Sequence, residues 1–205
     1  MKIKKIIILT IIFFSSNLMA TEEPEFELIL KKENFEIRQY KPKILAQVKI
    51  LGNFEDASSK GFRVLADYIF GNNLSTDGSS KINMTAPVVL EPTSAVMDMT
   101  APVLTEGENN EWIVSFAMPK EYSLNTLPKP NNKDIKIISL PLERYATIIF
   151  SGLIRESNYD EQIKLLKTFI SNKKLVTVGK VQIARYNPPW TLPFFRRNEL
   201  MIRIN

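Results

Sequence analysis

The chain has 205 residues, 27 of them basic and 22 acidic, with no cysteine and no histidine. These absences remove disulfides, a thiol nucleophile, the commonest metal ligand and the Ser-His-Asp arrangement together. Any catalysis would have to rest on carboxylates or lysine, and the length fits a single domain.

The first twenty residues read as an export leader. Lys2, Lys4 and Lys5 supply the charged start, Ile6 to Phe14 the apolar core, and Ala20 a small residue at which cleavage is expected. The apolar run is shorter than the about 20 residues needed to span a bilayer, and no cysteine follows to carry a lipid. The mature domain is therefore expected at 21–205, in the periplasm or secreted. Three of the 27 basic residues leave with the leader, so 24 remain against 22 acidic ones. This near balance gives no reason to expect a nucleic-acid partner.

Along the mature chain, residues 35–52 and 135–152 share a pattern at an offset of 100. Ile37 matches Ile137, Ala46 matches Ala146 and Gly52 matches Gly152. Each copy reads as a strand, a proline-marked turn and a second strand, with a helix shortly after. The first helix is expected from Phe54 to Phe70, with Asn53 as N-cap, Glu55 and Asp56 at its positive end and Gly71 beyond its last turn. Then the pentapeptide Met-Thr-Ala-Pro-Val occurs twice, at Met84–Val88 and Met99–Val103. It suggests strands over Lys81–Glu91 and Asp98–Thr105, each with a proline at a bulge or edge. A further strand, Trp112–Met118, falls between the halves, and Pro119 to Lys133 is the longest loop.

The second helix is expected from Tyr159 to Ser171, with Asn158 as N-cap and Glu161 completing a capping box. Strands Lys180–Tyr186 and Glu199–Ile204 close the chain. The fold class is thus α+β: a duplicated βαββ unit whose antiparallel sheet curls into a distorted barrel flanked by two helices. The helices differ. Tyr159, Ile163, Leu165, Leu166, Phe169 and Ile170 fill an arc of roughly 160° on the second. On the first, Phe62, Val64, Leu65, Ala66, Tyr68, Ile69 and Phe70 spread over about 240°, more than a sheet covers. Loops or an apolar ligand must cover the surplus.

Several motifs together resemble the SOUL family of haem-binding proteins. They are Phe35-Glu-Ile-Arg-Gln-Tyr40, Tyr68-Ile-Phe-Gly-Asn-Asn73, Lys81-Ile-Asn-Met-Thr-Ala-Pro-Val88 with its echo, and Trp112 to Tyr122. Leu127-Pro-Lys-Pro130, Phe150-Ser-Gly152 and Arg185-Tyr-Asn-Pro-Pro-Trp190 through Arg196-Arg-Asn-Glu199 complete the set. The resemblance covers nearly the whole mature chain. It implies a SOUL-like, effector-binding-domain-like barrel and non-enzymatic binding of haem or a related tetrapyrrole, for carriage or sequestration by a monomer. Without histidine, the mode it leaves open is an apolar groove beside the first helix. Phe62, Leu65, Ala66 and Ile69 would line that groove, with Lys60 or Arg63 for the propionates.

Met84 and Met99 could offer thioethers to iron, although methionine more often fills a core. Trp190, Phe194 and Phe195 are expected to fold back on the sheet; otherwise they form an apolar lip for a ligand or a membrane surface. Arg196, Arg197 and Glu199 are expected to form an ion pair pinning the last strand. Tyr40, Tyr145 and Tyr186 are read as strand packing. The competing functions are a binding module for another flat lipophilic compound, and a hydrolase built on Glu91 or Asp98, which no motif supports.

Overall fold

The computed structural model describes residues 22–76, 78–93, 111–154, 156–188 and 190–205. In chain order its elements are β1 (Phe26–Lys32), β2 (Phe35–Tyr40), β3 (Lys43–Leu51), α1 (Phe54–Ile69), β4 (Asn73–Leu74), β5 (Val88–Pro92) and β6 (Glu111–Ala117). There follow β7 (Lys129–Pro130), β8 (Lys136–Leu140), β9 (Glu143–Phe150), α2 (Glu156–Asn172), β10 (Thr177–Arg185), a 3₁₀ turn at Pro193–Phe195 and β11 (Asn198–Ile204). Nine strands make one sheet in the order β1-β2-β9-β11-β10-β5-β6-β3-β8, while β4 pairs only with β7. Every pairing within the sheet is antiparallel.

The sheet is open, which corrects the expected barrel. One edge, β1, is bulged between Leu28 and Leu30 and carries Glu27, Lys31 and Lys32. The other, β8, has five residues and stops at Pro141. A bulged, charged edge and a short proline-stopped one do not offer each other a continuous ladder.

From β2 to β8 the order is its own mirror when β2 is exchanged for β8, β3 for β9, β5 for β10 and β6 for β11. The helices follow the same exchange, α1 lying on β3 and β6 and α2 on β9 and β11. Gly52 and Gly152, at matching strand-to-helix corners, both have left-handed φ, +135° and +105°. The Trp112 strand, expected between the halves, instead completes the first one. It forms a hairpin with β5 and pairs on its other side with β3. The first expected strand of that half begins only at Val88, because Pro87 has no N–H for a ladder and the Thr85 hydroxyl turns to the Ala117 carbonyl, 2.5 Å away. The expected strand Asp98–Thr105 lies outside the described residues.

The first helix starts at its expected place and the second does not. Asn53 caps α1, its Oδ1 accepting from the Asp56 N–H at 2.9 Å. Gly61 lets α1 approach β6, since a Cβ there would sit 2.4 Å from Val114 Cγ2. α2 begins at Glu156, so Asn158 lies inside the helix and its amide donates to the Leu153 carbonyl at 3.3 Å. The surplus apolar arc of α1 is met largely by loops. Ile82, fully buried, binds the Ile69 carbonyl through its N–H at 2.8 Å, and the Tyr68 hydroxyl donates to the Pro128 carbonyl at 2.7 Å.

Strand alternation gives the sheet two different faces. The face under the helices carries Ile37, Ala46, Val48, Leu90, Val114, Phe116, Ala146, Ile148, Ile183, Leu200 and Ile202, which form one core with Leu65, Ile69, Leu166 and Ile170. The opposite, helix-free face carries charge, and part of that charge is buried. Arg38 (1% exposed) meets Glu199 (0% exposed) through two hydrogen bonds of 2.7 and 3.0 Å, and its Nε reaches Glu36 at 2.7 Å. Glu199 also accepts from Arg197 at 2.8 Å and from the Tyr186 hydroxyl at 2.8 Å. Phe26 covers this cluster, its ring centroid 4.5 Å from the Arg38 guanidinium carbon. The segment before β1 straps the face further: Glu23 pairs with Arg197 at 3.0 Å, and the Glu22 carbonyl accepts from Ala86 N at 2.8 Å.

A buried ion pair costs more to break than it gains in forming. Glu199→Gln or Arg38→Met is therefore expected to lower stability by roughly 3–5 kcal/mol. The Arg38→Met/Glu199→Gln double variant should lose clearly less than the two single losses added. Urea unfolding checks this, and strictly additive losses would show that the pair is not coupled.

Candidate functional site

The residues expected to line a ligand groove do not share one exposure. Leu65 and Ile69 are fully buried in the core and Ala66 is buried at its margin. Phe62 is 37% exposed, its ring edge-on to Phe116 with centroids 5.5 Å apart. Phe62, Ala66 and Phe70 recur at four-residue spacing, so they follow one line along α1, with Phe70 exposed at its end. Lys60 and Arg63 are exposed, and neither makes a hydrogen bond or ion pair among the described residues. Lys81 adds a third cation, 5.8 Å from the Phe70 ring. The arrangement is an apolar strip flanked by unspent positive charge, able to hold a flat apolar body by one face and carboxylates at its rim.

A groove that the sequence did not signal runs between α2 and β10. It measures about 470 Å³ and is lined by Ile163, Ile170, Leu175, Val181, Lys167 and Lys180 among others. Both lysines there are engaged, Lys180 with the Thr93 carbonyl.

The helix-free face holds a cavity of about 200 Å³ among Tyr40, Lys43, Gln47, Glu91, Ser115, Glu143, Tyr145, Lys180, Gln182 and Arg203. Most of its polar atoms are paired. The Tyr145 hydroxyl donates to Glu143 at 2.8 Å, Arg203 reaches the same carboxylate at 2.6 Å, Gln182 donates to Glu91 at 2.6 Å, and Gln47 donates to Ser115 at 2.9 Å. Burial pushes the Tyr145 and Tyr186 hydroxyls up, and the neighbouring carboxylates Glu143 and Glu199 add to it. Lys43 is the exception. Its ammonium lies 4.2 Å from the Tyr40 ring centroid and 5.7 Å from that of Tyr145, and it makes no hydrogen bond or ion pair among the described residues. Burial pushes its amine down to about 8, with Glu143 pulling the other way.

Sequence reasoning missed this cavity because its tyrosines were read as strand packing. The alternation Glu143-x-Tyr145-x-Thr147, opposite apolar neighbours on the same strand, was the available signal. Burial also pushes the Glu36 carboxyl up, but hydrogen bonds from Lys31 and Arg38 hold it below the usual carboxylate value. Thr147 is fully buried, and its hydroxyl has no partner among the described residues.

Of the remaining candidates, Met84 packs against the core, and Met99 and Asp98 lie outside the described residues. Glu91 is half-buried and hydrogen-bonded to Gln182. Arg197 and Glu199 do form the expected ion pair, while Arg196 donates to the Thr191 carbonyl at 2.7 Å. The aromatic loop does not fold back as expected. Trp190, Phe194 and Phe195 are 83%, 64% and 69% exposed. The loop is held through its backbone, the Gly152 N–H donating to the Pro193 carbonyl at 2.9 Å. No described helix is long and apolar enough to cross a membrane.

A family model described as SOUL heme-binding protein matches residues 21–203. No curated protein sequence matches the chain. Among solved structures, the C-terminal domain of EcmrR superposes with a TM-score of 0.60 at 10% identity, over 83% of this chain and 96% of that one. An uncharacterized conserved protein from Listeria innocua gives 0.60 at 11% identity, over 85% and 93%. A hydrolase from Listeria innocua gives 0.56 at 13% identity, over 86% and 94%. At such identities these likenesses show the fold alone, an α+β sheet with two helices.

The depressed Lys43 amine makes a signed prediction. Between about pH 8 and the ordinary lysine value of 10.5 the unfolded chain binds a proton that the folded chain does not, so this residue lets stability rise with pH across that window. Below pH 8 its penalty is fully present. Lys43→Met should therefore stabilise the protein at pH 7 by roughly 1–3 kcal/mol, with the gain fading by about pH 10.5. Urea unfolding at several pH values checks this, and a gain that does not change with pH would contradict the assignment.

Proposed function

The chain belongs to the SOUL heme-binding protein family, and we propose that it binds haem or a related tetrapyrrole without catalysing a reaction, carrying or sequestering it outside the cytoplasm. The observation that carries the choice of surface is the Phe62–Ala66–Phe70 strip, beside which Lys60 and Arg63 have no partner among the described residues. The cavity on the helix-free face is smaller than the about 300–1,000 Å³ of pockets that enclose drug-sized ligands, and the larger groove between α2 and β10 has both of its lysines engaged, which favours the α1 strip. The macrocycle would rest on Phe62 and Ala66, with its propionates at Lys60 and Arg63. Leu65 and Ile69 would act from beneath, by holding α1 on the sheet.

No residue of this chain can supply a histidine ligand to iron. Haemin titrated into the protein should therefore give a saturable, broad Soret shift at unit stoichiometry, without the spectrum of histidine ligation. Phe62 is half-buried at a surface, so Phe62→Glu should remain folded yet lose the saturable shift, because a carboxylate faces an apolar ring and its anionic edge. A folded Phe62→Glu variant that titrates like the parent would remove α1 from the site.

The palindromic strand order and the matched glycine corners support descent from a duplicated βαββ unit. The lysine-rich start, apolar core and Ala20 support export. Protein recovered from the periplasm should have the intact mass of a chain beginning at Thr21; full-length protein found only in the cytoplasm would sink that assignment.

A further inference from the structure

The helix-free face carries a feature that tetrapyrrole binding on α1 does not use. The Lys43 ammonium enters the cavity of about 200 Å³ with all three donors unspent among the described residues, held only over the rings of Tyr40 and Tyr145. The other charged groups lining the cavity are engaged: Glu143 by Tyr145 and Arg203, Glu91 by Gln182, and Lys180 by the Thr93 carbonyl. A free anion would have to share the space with two carboxylates, and a cation with Lys43, Lys180 and Arg203. The chemistry left is a small neutral molecule with an electrophilic or hydrogen-bond-accepting group for the amine.

We propose that Lys43 and this cavity form a second, small-molecule site that takes up a small aldehyde or ketone as an imine. The neutral amine attacks the carbonyl carbon, a C–N bond forms as the C=O π bond breaks, and a proton passes from nitrogen to oxygen. Loss of water from the carbinolamine then leaves the C=N bond, with no oxidant or reductant needed. Attack requires an unprotonated lysine, and desolvation in a buried pocket is a recognised route to one. The lowering of the Lys43 amine fits this route. Tyr40, Tyr145 and Glu143 face the amine from β2 and β9, Glu91 and Lys180 line the same cavity from β5 and β10, and Arg203 from β11. The site lies on the face of the sheet opposite α1, so it stands whether or not haem binds there.

The test is reductive trapping on the whole protein. Substoichiometric propionaldehyde with cyanoborohydride at pH 7.5, followed by peptide mass mapping, should modify Lys43 at least tenfold faster than the exposed Lys60 and Lys129. At that pH an amine titrating near 8 has on the order of a hundred times more neutral form than one at its ordinary value. The rate at Lys43 should rise with a midpoint near pH 8, and the preference should vanish in urea. Lys43→Met, folded by its unfolding curve, should lose the fast-labelled peptide and leave the others unchanged. Labelling of Lys43 no faster than Lys60, or a preference that survives in urea, would overturn the proposal.

Discussion

The arginine at position 38 has to be buried and paired, and much of the architecture follows from that. Its guanidinium spans from Glu36 on its own strand to Glu199 on β11, across the intervening β9, and so joins the N-terminal part of the chain to its last strand. A buried guanidinium without carboxylates would be among the costliest groups in the fold. Burial pulls the Arg38 guanidinium toward losing its proton, but Glu199 and Tyr40 outweigh this and hold it charged. The cluster is shut from water by Phe26 and by the segment before β1, whose Glu23 pairs with Arg197. This segment is therefore part of the packing.

This charged interior sits on one face of the sheet, and the hydrophobic core sits on the other. The division assigns the two faces different chemistry. Both helices lie over the apolar face, and on the outer flank of α1 Phe62 is left part-exposed beside Lys60 and Arg63, which have no partner among the described residues. The charged face offers a small, polar-walled cavity whose walls are largely committed to one another. The two proposed sites, on α1 and at Lys43, therefore draw on different residues.

How legible this was depends on whether a signal was local. α1 was readable to within one residue because Asn53, Glu55, Asp56 and Gly71 mark its ends chemically. α2 was placed three residues late, since Asn158 looks like a cap yet hydrogen-bonds backward from inside the helix. β1 was missed because the bulge between Leu28 and Leu30 breaks its alternation. The expected barrel required the edges to meet, a long-range matter that the bulge on β1 and Pro141 after β8 decide. Of the candidate ligand residues, helical periodicity marked Phe62, Leu65, Ala66 and Ile69 as one apolar set, but only packing against β3 and β6 divides them into a buried floor and an exposed edge. Lys43 was passed over because a lysine beside a proline turn reads as solvated, and only the return of β9 places tyrosine and carboxylate around it.

The central claim is that haem is held on the outer flank of α1, away from the charged face. Paramagnetic haemin broadens nearby amide resonances, so an amide NMR titration of the mature protein tests the claim directly. Broadening should centre on residues 59–70 and reach Lys81, while the amides of Lys43, Glu143, Tyr145 and Arg203 stay sharp. Broadening centred on the helix-free face, or on the loop carrying Trp190 and Phe195, with α1 unaffected, would contradict the account.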